Sequence, residues 1–321
     1  MQRLISVLKQ DNVDLELIML IRSILAASKE IAFRVSQGAL GDVLGSTLMQ
    51  NVQGETQKQL DVISNDLLKD LLLNDDSVRA IASEEEDNVV AGNPNGRFNV
   101  AFDPLDGSSN IDINGQIGTI FTIYATRPEF PADSPEQFLQ KGREQLVAGY
   151  VLYGPSTMLV MSTGGPTRGY TLDLTHGGYL LTTPTMSIPT HSNEFAINMA
   201  NYQFWAPDIQ AYFKDKFLVQ TEEAAGTMRW NAAMVGDVHR VLTRGGVFYY
   251  PQDVRPGHEN GKIRLLYEAN PMAMLVENAN GRAVVNQESV LVKFWSQNGT
   301  TFTFLLEPSF AMNCISPRLF V

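Results

Sequence analysis

Apolar residues Leu17, Ile18, Ile21, Ile24, Leu25, Ile31 and Val35 recur at helical spacing, which predicts a long amphipathic helix over 14–37. Asp11 or Asp14 stands near its start and Gly38 at its end, as caps require. The stretch holding Gly41, Gly45 and Gly54 has loop composition. A second helix is predicted over 64–73. Short β-like runs follow at 78–82 and 98–102, each ending in acidic residues, and the segments 117–124, 149–162 and 170–181 also read as strands. Between them, 127–145 is charged and proline-bearing, the composition of a surface excursion.

Two prolines and several Ser/Thr residues mark 182–193 as a domain boundary, dividing the chain into 1–190 and 191–321. Beyond it the pattern alternates. Strands are predicted at 195–199, 247–250 and 262–267, and helices at 207–213, 227–242 and 271–278, the last capped by Asn270 with proline at its first position. Such alternation argues for an α/β layer architecture.

Composition narrows the function. A formal net charge of −11 disfavours nucleic acid and anionic membranes as partners. A single cysteine, Cys314, excludes an internal disulfide and fits a reducing compartment. The apolar stretch 15–27 is too short to span a bilayer and contains Glu16 and Arg22, so a cytoplasmic protein is expected. Four scattered histidines without an HExxH pattern disfavour a zinc hydrolase.

The chemistry gathers at strand ends. Glu84, Glu85, Asp103, Asp106 and Glu268 all fall at the C-terminal ends of predicted strands, where open α/β sheets place ligands. Converging carboxylates repel one another unless a cation lies between them, and Mg²⁺ or Mn²⁺ suits an all-oxygen donor set. A lone DGS or EEED reads as a solvated turn. The octapeptide 103–110 is different. Asp103 and Asp106 supply ligands, Gly107 permits close backbone approach, and Ser108 and Ser109 are placed to cap a helix whose N–H groups face a phosphate. Lys262, Arg264, Leu266 and Glu268 share one parity of the predicted 262–267 strand and its end, so Lys262 and Glu268 are expected on one face, the lysine for a second phosphate.

DPLDGSSNID at 103–112, preceded by SEEED at 83–87, resembles class I fructose-1,6-bisphosphatase. The resemblance extends in order and spacing from about 39 to 293, through NVQGE (51–55), LDVISND (60–66), GTIFTIY (118–124), AGYVLYGPSTMLV (148–160), GDVHR (236–240) and GKIRLLYEANPMA (261–273). It implies a two-domain, five-layer α-β-α-β-α fold, usually as a homotetramer. It also implies Mg²⁺-dependent hydrolysis of the 1-phosphate of fructose 1,6-bisphosphate, as in gluconeogenesis or a Calvin-cycle type of sugar metabolism. Two or more metal ions per site are implied, with Mn²⁺ able to substitute. By the same resemblance Glu84, Asp103, Asp106, Glu268 and the Leu105 carbonyl are metal ligands, and Asp61 and Glu85 polarise the attacking water. Gly107, Ser108 and Ser109 hold the phosphate being cleaved. Asn198, Tyr202, Tyr250 and Lys262 surround the distal phosphate, Met234 lines the sugar, and Arg229 reaches in from a neighbouring subunit. His239 reads as a helix-packing residue.

Departures from the family pattern cluster in two places. Trp230 stands where tyrosine usually follows that arginine, and the Glu-Gly usual after Asn198 is missing, so preference between fructose and sedoheptulose bisphosphates is left open. At the nucleotide site a TGELT-like helix start is replaced by Leu15-Glu16-Leu17-Ile18-Met19, and Ala125 replaces an arginine. Only Arg97-Phe98 echoes its basic-aromatic pair, so weak or absent inhibition by AMP is expected. A non-catalytic sugar-phosphate sensor is the alternative from another class, disfavoured because it has no need of Asp61 and Glu85. Inositol monophosphatase activity is disfavoured by the second-phosphate residues Lys262, Arg229 and Tyr250.

Overall fold

The structure is a computed structural model that describes residues 1–41, 46–50, 56–218, 226–256, 261–285, 288–293, 301–302 and 304–308. Gly45, Gly54 and the NVQGE motif lie outside the described residues. The helices are α1 (Leu4–Gln10), α2 (Leu15–Gln37), α3 (Gln59–Leu73), α4 (Pro207–Phe213), α5 (Met234–Arg244) and α6 (Asn270–Glu277). Strands β1 (Ser46–Gln50) and β2 (Thr56–Lys58) pair with each other. The main sheet contains β3 (Val78–Ser83), β4 (Val90–Ala91), β5 (Phe98–Asp106), β6 (Ile117–Ala125), β7 (Gln145–Tyr153), β8 (Thr157–Ser162), β9 (Arg168–Asp173) and β10 (Gly178–Thr183). Its order is β10-β9-β8-β7-β6-β5-β3-β4, antiparallel except for the parallel pair β3/β5.

The second sheet is built from β11 (Glu194–Ala196), β12 (Thr227–Met228), β13 (Val247–Tyr250), β15 (Gly281–Val285), β16 (Glu288–Ser289) and β18 (Phe304–Pro308), in the order β12-β11-β13-β18-β15-β16. A separate short pair joins β14 (Ile263–Arg264) to β17 (Thr301–Phe302).

Side-chain alternation along the strands assembles these parts into layers. Phe121, Ile123 and Val151 pack with Ile21, Ile24 and Leu68 of α2 and α3, whereas Ile120, Tyr150 and Leu152 turn the other way, onto Val238 and Leu275 of α5 and α6. The reverse side of α5 and α6 meets Phe248 and Ala283 of the second sheet. That sheet's outer face, with Phe195 and Tyr249, is covered by Ile209 and Phe213 of α4. The result is an α-β-α-β-α stack in which the main sheet is covered on both faces. This is why its strands read as nearly unbroken apolar runs.

Local chemistry accounts for the boundaries. Asp14 caps α2 by accepting the N–H groups of Glu16 (2.9 Å) and Leu17 (3.3 Å), as the sequence pattern predicts. Helix α3 begins at Gln59 instead of Ser64, because Asp61 in its first turn accepts the Lys58 N–H at 2.8 Å. The runs 149–162 and 170–181 are each interrupted by a turn and belong to the hairpins β7/β8 and β9/β10.

Four further expectations are corrected. The 127–145 excursion is not simply solvated: Gln137 is fully buried there, and its Nε2 donates to the carbonyls of Arg127, Phe130 and Pro131. The 227–242 run is not one helix, because Thr227 and Met228 pair with β11 and Ala232 adopts a left-handed φ of 57° before α5 starts. The 262–267 run is strand only over Ile263–Arg264. It then closes into a π-helical turn, Leu265–Ala269, where Glu268 accepts the Arg264 N–H at 2.6 Å. Lys262 and Glu268 therefore do not share a strand face. Finally, Asn270 does not cap α6, since Ala269 before it is already helical; its Nδ2 donates to the Tyr124 hydroxyl (3.2 Å) instead.

Candidate active site

The parallel strands β3 and β5 end side by side, with Ser83 in register with Phe102 and the Glu84 N–H donating to the Phe102 carbonyl (3.1 Å). Parallel pairing delivers both chain ends to one edge of the sheet, which brings Glu84 next to Asp103. Asp106 is reached after an irregularity in β5, and its Oδ2 accepts the Val235 N–H at the start of α5 (2.7 Å). The π-helical turn adds Glu268 from the second half of the chain. One carboxylate oxygen from each of Asp103, Asp106 and Glu268 lies within 4.8 Å of the other two.

Burial makes this cluster unstable as a set of anions. Asp103 is held well above the ordinary carboxylate range, first by burial and then by the charges of Glu84, Asp106 and Glu268. Burial pushes Asp106 up to about 7, against the pull of the Val235 and Met234 N–H groups. Glu268 rises to about 8 by burial, partly offset by Arg264. Arg264 was not among the sequence candidates. Its guanidinium pairs with Glu84 at 2.6 Å, the local cation that a buried acidic cluster demands. The donor set is all oxygen, buried and short of positive charge, so it fits a hard divalent cation.

Asp61 approaches from α3. It is buried and pushed up to about 7, chiefly by burial and further by Glu85 and Glu84. Its Oδ1 is buried with no hydrogen-bond partner among the described residues. Half-buried Glu85 donates its N–H to Ser83 Oγ (3.3 Å). Asn65, one turn after Asp61, accepts from Ser83 Oγ (2.7 Å) and donates to Glu86 (2.8 Å), keying α3 to the acidic turn.

After Asp106 the chain turns through Gly107 at φ 81°, where a Cβ would lie 2.5 Å from the Ala233 Cβ. Ser108 and Ser109 open the 3₁₀ turn Ser108–Ile113, but their hydroxyls do not cap it. Leu105 is buried within β5. Asn110 donates to the Gln116 (3.0 Å) and Asn231 (2.7 Å) carbonyls, tying this turn to the segment that carries Arg229 and Trp230.

The remaining candidates lie around the second sheet. Arg229 and Trp230 line an open cleft of about 650 Å³ with Gln116, His239 and Arg240. The Trp230 ring lies nearly parallel to Phe248 (6.2 Å, 9°) and 6.5 Å from Tyr250. Met234 is buried at the first position of α5, and its N–H supports Asp106. Lys262 is exposed. Asn198 uses Oδ1 to accept the Ala200 N–H (3.2 Å), and the Tyr202 hydroxyl donates to the Gln210 carbonyl (3.1 Å), so both are engaged in local structure. His239 meets the Tyr150 hydroxyl through Nδ1 (2.8 Å), between α5 and the main sheet.

Two family models match in succession: "Fructose-1-6-bisphosphatase, N-terminal domain" over residues 4–184, and "Fructose-1-6-bisphosphatase, C-terminal domain" over 188–304. This chain belongs to the fructose-1,6-bisphosphatase family. It is 66% identical over 292 residues to the Fructose-1,6-bisphosphatase class 1 2 of Pseudoalteromonas translucida, covering 91% of this chain and 89% of that protein. It is also 66% identical to the class 1 enzyme of Cellvibrio japonicus over 293 residues, covering 91% of each. The crystal structure of Leishmania major fructose-1,6-bisphosphatase in holo form superimposes with a TM-score of 0.89 at 34% identity, covering 96% of this chain and 95% of that one. Family membership and layer order thus agree with the reading of the DPLDGSSNID and GKIRLLYEANPMA motifs.

Proposed function

We propose that this protein hydrolyses the 1-phosphate of fructose 1,6-bisphosphate, giving fructose 6-phosphate and inorganic phosphate, with Mg²⁺ as its working metal. The observation that carries the reading is the buried meeting of Asp103, Asp106 and Glu268 in a chain 66% identical to class 1 fructose-1,6-bisphosphatases. Glu84, Asp103, Asp106, Glu268 and the Leu105 carbonyl hold two or more metal ions, and Mn²⁺ can replace Mg²⁺. Bound there, the metal neutralises the carboxylates and withdraws charge from the phosphoryl oxygens.

The protein groups have separate tasks. Asp61 and Glu85 orient a water and take up its proton as its oxygen bonds to phosphorus; the bond from phosphorus to the C1 oxygen breaks, and that oxygen takes up a proton and leaves as the hydroxyl of fructose 6-phosphate. In the metal-free chain burial holds Asp61 up to about 7, and a buried carboxylate beside the acidic turn is placed to carry a proton. Gly107, Ser108 and Ser109 hold the departing phosphate. Arg229, Tyr250, Lys262, Asn198 and Tyr202 form the distal phosphate site, with Trp230 beside it and Met234 against the sugar. Residues 1–190 and 191–321 act as two domains, and a cytoplasmic homotetramer completes the site through Arg229 of a neighbouring copy. No helix among the described residues is long and apolar enough to cross a membrane.

AMP is not a strong inhibitor on this reading. The N–H groups at the start of α2 are capped by Asp14, and Arg97 pairs with Glu16 and, at 3.5 Å, with Asp14. The protein's own carboxylates thus take the donors and the cation that a phosphate would use.

Phosphate release is to be compared with Mg²⁺ present for fructose 1,6-bisphosphate, sedoheptulose 1,7-bisphosphate and inositol 1-phosphate. The fructose substrate is expected to turn over fastest. Faster release from the sedoheptulose substrate would reassign the specificity to the pocket containing Trp230. Metal binding with no turnover of any substrate would instead support a sugar-phosphate sensor.

A further inference from the structure

Proline at position 104 creates a defect in the ladder between β5 and β6, because it has no N–H to donate. Asp103 pairs with Ile120 and Asp106 with Gly118, so two residues of β5, Pro104 and Leu105, face the single residue Thr119. The Thr119 hydroxyl fills the gap. It donates to the Pro104 carbonyl at 2.9 Å, and the Tyr153 hydroxyl on β7 lies 2.8 Å from Thr119 Oγ1. Thr119 has one proton and commits it to the carbonyl, so Tyr153 is the donor of the second bond. Both side chains are buried, Thr119 fully and Tyr153 at 3% exposure, so neither bond is traded for water.

The Pro104–Leu105 peptide unit is consequently clamped at both ends. Its carbonyl is held by Thr119, and its N–H donates to Asp103 Oδ1 at 2.9 Å. Pro104 and Leu105 lie outside the regular register, so these two bonds fix the plane of the peptide unit that leads into the Leu105 carbonyl. The same clamp commits one oxygen of Asp103 to the backbone and sets where the other lies relative to Asp106.

We infer that Thr119 and Tyr153 are positioning residues for the metal site: their paired hydroxyls preset the Leu105 carbonyl and the Asp103 carboxylate before any cation binds. The inference rests on the proposed assignment of Asp103, Leu105 and Asp106 as ligands. Partners one step behind metal ligands matter because they fix ligand orientation, which the ion cannot do for itself without a cost in affinity.

The test is calorimetric titration of Mn²⁺ into the metal-free full-length protein without substrate, accompanied by thermal unfolding of the same samples. Thr119→Val keeps the side-chain shape and removes the hydroxyl; it is expected to weaken Mn²⁺ binding by roughly 10-fold. Thr119→Ser, which keeps the hydroxyl, is expected to restore wild-type binding, and Tyr153→Phe to fall between. A folded Thr119→Val protein that binds Mn²⁺ as tightly as wild type overturns the inference. Should that variant fail to fold, Tyr153→Phe decides, and unchanged Mn²⁺ affinity there overturns it equally. Wild-type protein that binds no Mn²⁺ at all would sink the metal assignment itself, a separate outcome.

Discussion

The guanidinium Nη1 of Arg264 lies 2.6 Å from Oε1 of Glu84, deep in the acidic cluster, with both side chains less than a fifth exposed. Its backbone N–H meanwhile donates to Glu268. Arg264 is thus the cation that offsets Glu84 and Glu268 while no metal does so. Replacing it by Gln leaves buried carboxylates uncompensated and is expected to destabilise the metal-free protein by about 3 kcal/mol at neutral pH. Thermal unfolding with and without Mn²⁺ checks this. The variant should melt lower without metal and gain more from its addition than wild type does; an equal gain in both counts against the role given to Arg264.

Acid cluster and solution pH are linked. In the folded chain Asp61 and Asp106 hold protons up to about 7 and Glu268 up to about 8, whereas unfolded carboxyls release theirs near 4. Between roughly pH 4 and 8 the folded state binds more protons, so metal-free stability falls as pH rises through that window. Melting temperatures in a chelator from pH 5 to 9 should decline, and the stabilisation by Mn²⁺ should grow with pH. A flat metal-free profile would contradict the burial of these carboxyls.

Asp103→Asn separates stability from chemistry. The amide oxygen can still accept the Leu105 N–H, and a neutral group replaces one that burial and three neighbouring carboxylates already disfavour as an anion. Turnover is expected to drop by about 100-fold or more, as for loss of a metal-binding carboxylate or its orienting partner, while the melting temperature holds or rises. Near-normal turnover would remove Asp103 from the ligand set.

His239 is read as structural through its contact with Tyr150. Burial lowers its pKa below 6.5, so it stays neutral in the folded chain while the unfolded histidine takes up a proton. Its contribution is present above pH 6.5 and is lost as pH falls toward the folded value. The stability difference between His239→Phe and wild type should therefore move in the variant's favour from pH 7 to 5. A constant difference would mean that the ring titrates normally.

Inhibition by AMP offers an independent check on α2. Steady-state assays should show no inhibition at sub-millimolar AMP. Asp14→Ser together with Glu16→Ala removes the competing carboxylates from the helix start and from Arg97, and is expected to leave basal turnover unchanged. Strong inhibition of the wild-type enzyme would mean that Asp14 and Glu16 do not block the site.

Much of this protein is decided by short-range chemistry, and that part was open to reading along the chain. The Asp14 cap, the period of α2, the Pro207 helix and the β13 strand each depend on neighbours within a few residues, so their elements appear where the pattern places them. DPLDGSSNID carried the acid cluster for the same reason: Asp103 and Asp106 are neighbours before they fold. What the local pattern misjudged is where distant partners intervene. Pairing of Thr227 with Glu194 of β11 stopped a helix from starting at 227, and the bond from the Arg264 N–H to Glu268 turned a strand into a π-helical turn. The sequence by itself therefore determined the family, the layer order and the carboxylates, Asp103, Asp106 and Glu268, that meet in the fold. Only the tertiary structure decided that Arg264 stands among the carboxylates, that α5 supports Asp106, and that Thr119 holds the Pro104 carbonyl. Each of those contacts joins residues from separate strands, turns or helices, and burial, which no local pattern encodes, sets its strength.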